Sequence, residues 1–232
     1  MSTASATTTA RERARRELTA EILSAARRQL AEVGAAALSV RAVARELGLA
    51  SSAVYRYFAT RDDLLTALIV EAYDSAGAAV EAAARPTAPG RTPRERFTAA
   101  CTALRSWALE HPHEYALVHG SPVPGYRGDS RTTAAGSRAP LALLHVLADA
   151  DPAPRRPVSA ALAEQAARVT AAAGDGPAGR AAPEVVVAGA RAWTALLGLV
   201  SSEVFGQLAN TFDPADAFAA ATVEALADDL GL

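Results

Sequence analysis

Gly48 to Leu65 reads GLASSAVYRYFATRDDLL. It places Tyr55, Tyr57 and Phe58 within four residues, around Arg56, in a chain that is 5% aromatic. Aliphatic side chains could fill a small core without such a cluster. At about 100° per residue, Val54 and Phe58 share one face of a short helix predicted from about Ala50 to Phe58. Ser52 and Arg56 lie on the opposite face, flanked by Ser51 and Tyr55. That second face is short, polar and free of acids, with a guanidinium at its centre. Such a face suits an approach to base edges, where carboxylates would be repelled by phosphates. Spacing alone leaves two roles equally open for the rings, packing the helix or touching a nucleic acid.

Immediately upstream, SVRAVARELGL predicts a partner helix. Ser39 stands at its N-cap position, Val40, Val43, Ala44 and Leu47 form one apolar stripe, and Gly48 ends it. Glycine tolerates the left-handed backbone that a tight turn to the next helix needs. Helix, short turn, helix is the layout that sets a second helix into the major groove. Farther upstream, Leu18, Ile22, Ala26, Leu30 and Val33 recur at three- and four-residue steps until Gly34 stops the run. Downstream, Thr60 with Asp63 three residues on opens a fourth helix, which continues to a break over 85–91.

Residues about 13–73 resemble the DNA-binding head of the TetR family of bacterial transcriptional regulators. SVRAVARELGL, SSAVYRYF and ATRDDLL carry the resemblance. It implies that Ser51, Ser52, Tyr55 and Arg56 face the groove. It also implies that Ser39, Arg41, Tyr57 and Arg61 contact the DNA backbone or nearby bases, with Arg61 at a helix N-terminus whose amides favour a phosphate. Phe58 is read as core. Ala50 replaces the Ser or Thr cap usual in the family, and Ala53 stands where a hydroxyl is common.

Charge supports the division into head and body. Residues 1–65 carry ten Arg against seven acids, and residues 66–232 thirteen against eighteen, so a basic head precedes an acidic body. Only the head is thereby suited to a polyanion. The single cysteine, Cys101, excludes an intramolecular disulfide and fits a reducing cytoplasm. The N-terminal residues lack a signal-peptide core. The longest uncharged apolar run, Ala192 to Ser202, is too short to span a bilayer. A cytoplasmic location is expected.

The rest of the chain also reads as helical. Thr92-Pro93-Arg94-Glu95 combines a cap, a proline at the first helical position and an N3 glutamate; its helix runs to about Glu110. A short helix from His113 to His119 leads into a loop over 120–136. Further helices are expected over 137–149, 157–173, 183–209 and 214–230. The fold class is all-α: a three-helix helix-turn-helix head and a larger helical body. The expected domains are a disordered arm at 1–12, a DNA-binding domain at 13–60 and a ligand-binding and dimerisation domain at 61–232.

HPHEYALVHGSPVPGY (His111–Tyr126) and AWTALLGLVSSEVFGQL (Ala192–Leu208) are similar to a C-terminal regulatory domain found in a subset of TetR-like proteins. This implies ligand sensing and dimerisation without naming a ligand. Phe97, Cys101, Trp107, Tyr115, Tyr126 and His145 are candidates for a pocket between helices, which uses apolar and aromatic walls with a few polar tips. The same composition serves a core. Trp193, Leu197, Val200, Val204, Phe218 and Thr222, on the last two helices, are candidates for the dimer interface. His111, His113, Glu114 and His119 lack a metal-ligand spacing, so no metal and no cofactor are expected. Cys101 reads as a small buried residue. The reading is a homodimeric transcriptional regulator, in the form of a repressor that a small apolar or aromatic ligand releases from a near-palindromic operator. The alternative is a helical enzyme or small-molecule carrier whose head only packs.

Overall fold

The computed structural model describes residues 3–86, 90–152 and 157–232. Among the described residues there are ten α-helices and no strand: α1 (Thr3–Val33), α2 (Val40–Glu46), α3 (Ser51–Tyr55), α4 (Arg61–Ala84), α5 (Pro93–Glu110), α6 (Pro112–His119), α7 (Ser130–Ala150), α8 (Ala160–Ala173), α9 (Pro183–Val204) and α10 (Asp216–Leu230). The arm expected at 1–12 comprises two residues outside the described part and the first turns of α1. Part of the break expected over 85–91 likewise lies outside it.

The chain forms two compact units. One comprises Met1–Ala72 with His113–Thr132, the other Tyr73–Pro112 with Thr133–Leu232. This division differs from a cut at residue 60: the first turns of α4 and most of α6 with its following loop belong to the first unit. In that unit Ile22, Leu23, Ala26, Val40, Val43, Val54, Phe58, Leu64, Leu65 and Leu68 form a buried cluster. Full burial of Val54 and near-full burial of Phe58 contributes about 1.5–3 kcal/mol each. Leu117, Val123 and Tyr126 pack on the same cluster. The Tyr126 hydroxyl lies 2.9 Å from Oγ1 of buried Thr66. The head core is therefore built from two separate stretches of chain.

In the second unit α5 turns Phe97, Ala100, Cys101, Leu104, Trp107 and Ala108 inward. Its start carries the expected capping box: Thr92 Oγ1 accepts from Glu95 N, and the Glu95 carboxylate accepts from Thr92 N at 2.7 Å. Helix α9 packs on α5, α8 and α10 and buries Val185, Val186, Ala192, Leu196, Leu199 and Val200. By length and composition alone α9 could cross a membrane, once a window with a few charges is admitted; here a third of that window is buried within the unit.

Helix α1 starts at Thr3, inside the expected arm, α3 ends at Tyr55 short of Phe58, and α8 starts at Ala160 rather than 157. Two further helix ends depart from the sequence reading for a visible reason. Helix α7 starts at Ser130, inside the stretch expected as loop, because Asp129 accepts from Arg131 N and Thr132 N and caps it. Gly136, which suggested a loop, sits where a Cβ would press to 3.2 Å on the Tyr73 ring. Helix α9 ends at Val204 rather than near 209, where Gln207 N turns back to Ser202 O at 2.7 Å.

Candidate nucleic-acid interface

The turn that sets up the head is held by short-range chemistry. Ser39 caps α2, its hydroxyl accepting from Ala42 N, while Gln29 Oε1 accepts from Ser39 N. Gly48, at φ 65°, supplies the left-handed residue between α2 and α3. Helix α3 is five residues long, and Ala50 gives it no side-chain cap. Its position depends instead on Val54 and Phe58, both anchored in the core.

With those two residues inward, Ser52, Tyr55 and Arg56 are exposed and Ser51 is half-buried. Tyr55 remains 41% accessible, so its ring is not part of the head core. Arg41, on α2, is also exposed. Neither Arg41 nor Arg56 forms an ion pair or side-chain hydrogen bond among the described residues. The α3 face therefore presents hydroxyls, a phenol and an uncommitted guanidinium, the donor and acceptor types that read base edges. Tyr57 is partly buried on the head core, with Arg15 Cζ 5.4 Å from its ring centroid.

Arg61 behaves differently. Its Nε donates to Leu38 O at 2.9 Å, and one terminal nitrogen donates to Ala35 O and Ala36 O at 2.7 and 3.1 Å. The guanidinium expected at a phosphate is thus occupied in tying the start of α4 to the 3-10 turn that precedes Ser39. It ties α4 to the segment that leads into α2, and Nε and one terminal nitrogen are already committed to carbonyls. Thr60 and Asp63 close the start of α4 reciprocally, as their spacing predicted.

The six pocket candidates do not fall in one unit. Tyr115 and Tyr126 belong to the first, and Phe97, Cys101, Trp107 and His145 to the second. Tyr115 is fully buried, with its ring 4.9 Å from that of His119. Burial pushes the His119 imidazole down to about 4, so it stays neutral at physiological pH. In the second unit Phe97, Cys101 and Trp107 line the inward stripe of α5. Trp107 Nε1 donates to Ser75 Oγ at 3.0 Å and its ring stacks on His111. His145 Nδ1 bonds Leu141 O within its own helix. Burial raises the Cys101 thiol to about 12, which leaves no reactive thiolate at neutral pH. Among the described residues no group of three or more His, Cys, Asp or Glu side chains converges as metal ligands do.

Of the dimer candidates, Trp193, Leu197, Val204, Phe218 and Thr222 are partly exposed. Val200 is fully buried inside its own unit, so it does not belong to an outer face. Period alone could not tell which side of so apolar a helix faces inward. Exposed Phe205 and Phe212, the latter stacked on Phe218 at 4.2 Å, extend the apolar surface beyond the set read from sequence.

Residues 22–68 match the family model for bacterial regulatory proteins of the tetR family, and residues 97–226 match that of the tetracyclin repressor-like C-terminal domain. The chain belongs to the TetR family. HTH-type transcriptional regulators of Mycobacterium bovis and Mycobacterium tuberculosis are 46% identical to it over 121 residues, 52% of this chain and 51% of theirs. The chain spans about half the length of the curated relatives it matches. The crystal structure of SCO4313, described as a regulatory protein, superposes with TM-score 0.72 at 34% identity, over 94% of this chain and 97% of that one. A TetR-family regulator of Thermus thermophilus, PfmR, shares the fold at TM-score 0.54 and 21% identity, over 90% of this chain and 96% of its own. Family members are DNA-binding transcriptional regulators, not enzymes, and the reading of a helical enzyme or carrier is not favoured.

Proposed function

We propose that this chain is a homodimeric repressor that a small molecule releases from its operator. The observation that carries the reading is the exposed, acid-free face of α3, held outward by burial of Val54 and Phe58. Two such helices in a dimer would enter successive major grooves about 34–36 Å apart on a near-palindromic site. Ser51, Ser52, Tyr55 and Arg56 read base edges, while Ser39, Arg41 and Tyr57 meet backbone. Arg61 contributes by positioning them.

In this reading the part over 13–60 recognises DNA and the part over 61–232 senses the ligand and dimerises, in the cytoplasm. The partly exposed side of α9 and α10, with Trp193, Leu197, Val204, Phe218 and Thr222, pairs with its symmetry mate. The inducer is an apolar or aromatic compound taken up near Phe97, Cys101, Trp107 and His145. It favours a state with lower DNA affinity, and linkage then requires DNA to weaken its binding in return.

A mobility shift on the DNA upstream of the protein's own gene, titrated with salt, tests the reading. Retention that falls steeply with salt and exceeds that on scrambled duplex is expected. Equal retention on both at every salt concentration would remove sequence-specific repression. Light scattering of Leu197→Arg checks the dimer, which this charge should dissociate.

A further inference from the structure

The buried stripe of α1 does not end where the head core ends. Ile22 is fully buried and Leu18 is packed on the same core. At about 100° per residue, Arg15 and Arg11 continue that stripe one and two turns nearer the N-terminus. Arg13 falls on the opposite side of the helix. All three arginines are exposed. A solvated charge run would need no particular face. Arg15 has one, because its guanidinium stands over the ring of Tyr57, 5.4 Å from the centroid, one residue beyond Arg56. The core-facing side of α1 thus delivers a cation beside the end of α3.

We infer that Arg15, with Arg11 one turn beyond it, forms a second DNA site that binds backbone phosphates beside the segment read by α3. The inference rests on the DNA-binding reading above. Arg15 and Arg11 are about 6 Å apart along the helix axis, so they meet different phosphates. The ring of Tyr57 holds the Arg15 guanidinium in place before DNA arrives and removes part of the entropy cost of ordering a long side chain. The class of ligand is the sugar-phosphate backbone, without regard to base sequence. These residues set affinity and register, while α3 sets sequence preference.

The test is a titration of full-length protein on operator and scrambled duplex at several salt concentrations, for wild type, Arg15→Ala, Arg11→Ala and Arg13→Ala. A phosphate contact contributes about 0.9 to the slope of log affinity against log salt. Arg15→Ala should flatten that slope by about one unit per head on both duplexes, and Arg15→Lys should restore it. Arg11→Ala, which removes no ring contact, should flatten it without lowering the melting temperature. Arg13→Ala should leave it unchanged. A lowered melting temperature for Arg15→Ala with an unchanged slope for both Arg15→Ala and Arg11→Ala would reduce Arg15 to a packing residue and overturn the inference alone. So would equal flattening by Arg13→Ala, which would mean a general charge effect. Wild-type protein that retains neither duplex at low salt would overturn the DNA-binding reading and this one with it.

Discussion

The arginines of α5 and those around α3 have opposite fates. On α5, Arg94 reaches Glu224 and Asp228, Arg96 reaches Asp149, and Arg105 grips Glu203 with two nitrogens and Asp216 with a third. Similarly, α7 sends Arg138 across Gly77 to Asp74 and Glu81 on α4. Around α3, Arg41 and Arg56 have no carboxylate partner among the described residues, and Arg15 leans on a ring. One residue type, the only cation-bearing side chain besides histidine in this sequence, therefore does two jobs. A guanidinium matched to an internal carboxylate contributes to the fold. One left without a counter-charge beside α3 is available to an external anion. Net charge by segment hints at this contrast, and the ion pairs of Arg94, Arg105 and Arg138 show its paired side.

The largest effect that could break the contrast is at Arg105. Its side chain and that of Glu203 are 15% and 13% exposed, so Arg105→Ala leaves a half-buried carboxylate without its partner. Urea unfolding should show a loss of about 3 kcal/mol, near the top of the range for a half-buried charged group that loses its hydrogen bonds. A loss below about 1 kcal/mol would show that Glu203 reaches water once freed, and that the pair resembles a surface one.

Arg61 comes next because its hydrogen bonds go to backbone carbonyls, with Asp62 only a loose ion-pair neighbour at 3.9 Å. Arg61→Ala deletes three bonds to carbonyls, and the head should lose about 2–3 kcal/mol of stability. Operator binding then weakens through the misplaced α2–α3 pair. An unchanged melting temperature with a flatter salt slope would return Arg61 to the phosphate contacts.

Arg56→Ala should cost about 1–3 kcal/mol of operator affinity, relax preference at one position per half-site and leave thermal stability unchanged. The same loss on scrambled DNA would make Arg56 a backbone contact. The smallest expected effect is at Arg94, whose exposed ion pairs with Glu224 and Asp228 should leave unfolding little changed when Arg94→Ala removes them, any effect fading with salt. A large change there would mean that exposure is a poor guide to what these pairs contribute.

Local signals were legible in the sequence where a few residues decide the geometry. The caps at Ser39, Thr60 and Thr92 depend on a partner three residues away, and the inward turn of Val54 and Phe58 on helical period. The start of α7 was missed because Asp129 as a cap and Gly136 as a contact with Tyr73 look like loop chemistry out of context. The role of Arg61 depends on carbonyls more than twenty residues upstream, a distance no motif encodes. The grouping of Tyr115 and Tyr126 with the head, and the burial of Val200, likewise follow from tertiary packing. Pattern could show those residues as apolar, but not which neighbours they had.

The bond between Thr66 and Tyr126 joins residues 60 positions apart within one small core. A head assembled this way is not a single contiguous segment of the gene. A fragment ending after α3, or even at Ala72, would leave bare the apolar surface that Leu117, Val123 and Tyr126 cover, and would fold poorly if at all. Recombination that exchanges DNA-reading heads between such regulators would have to carry the stretch 113–132 along, or keep residues there that fit both partners. The parts that can be exchanged are thus set by the core and not by the helix-turn-helix motif.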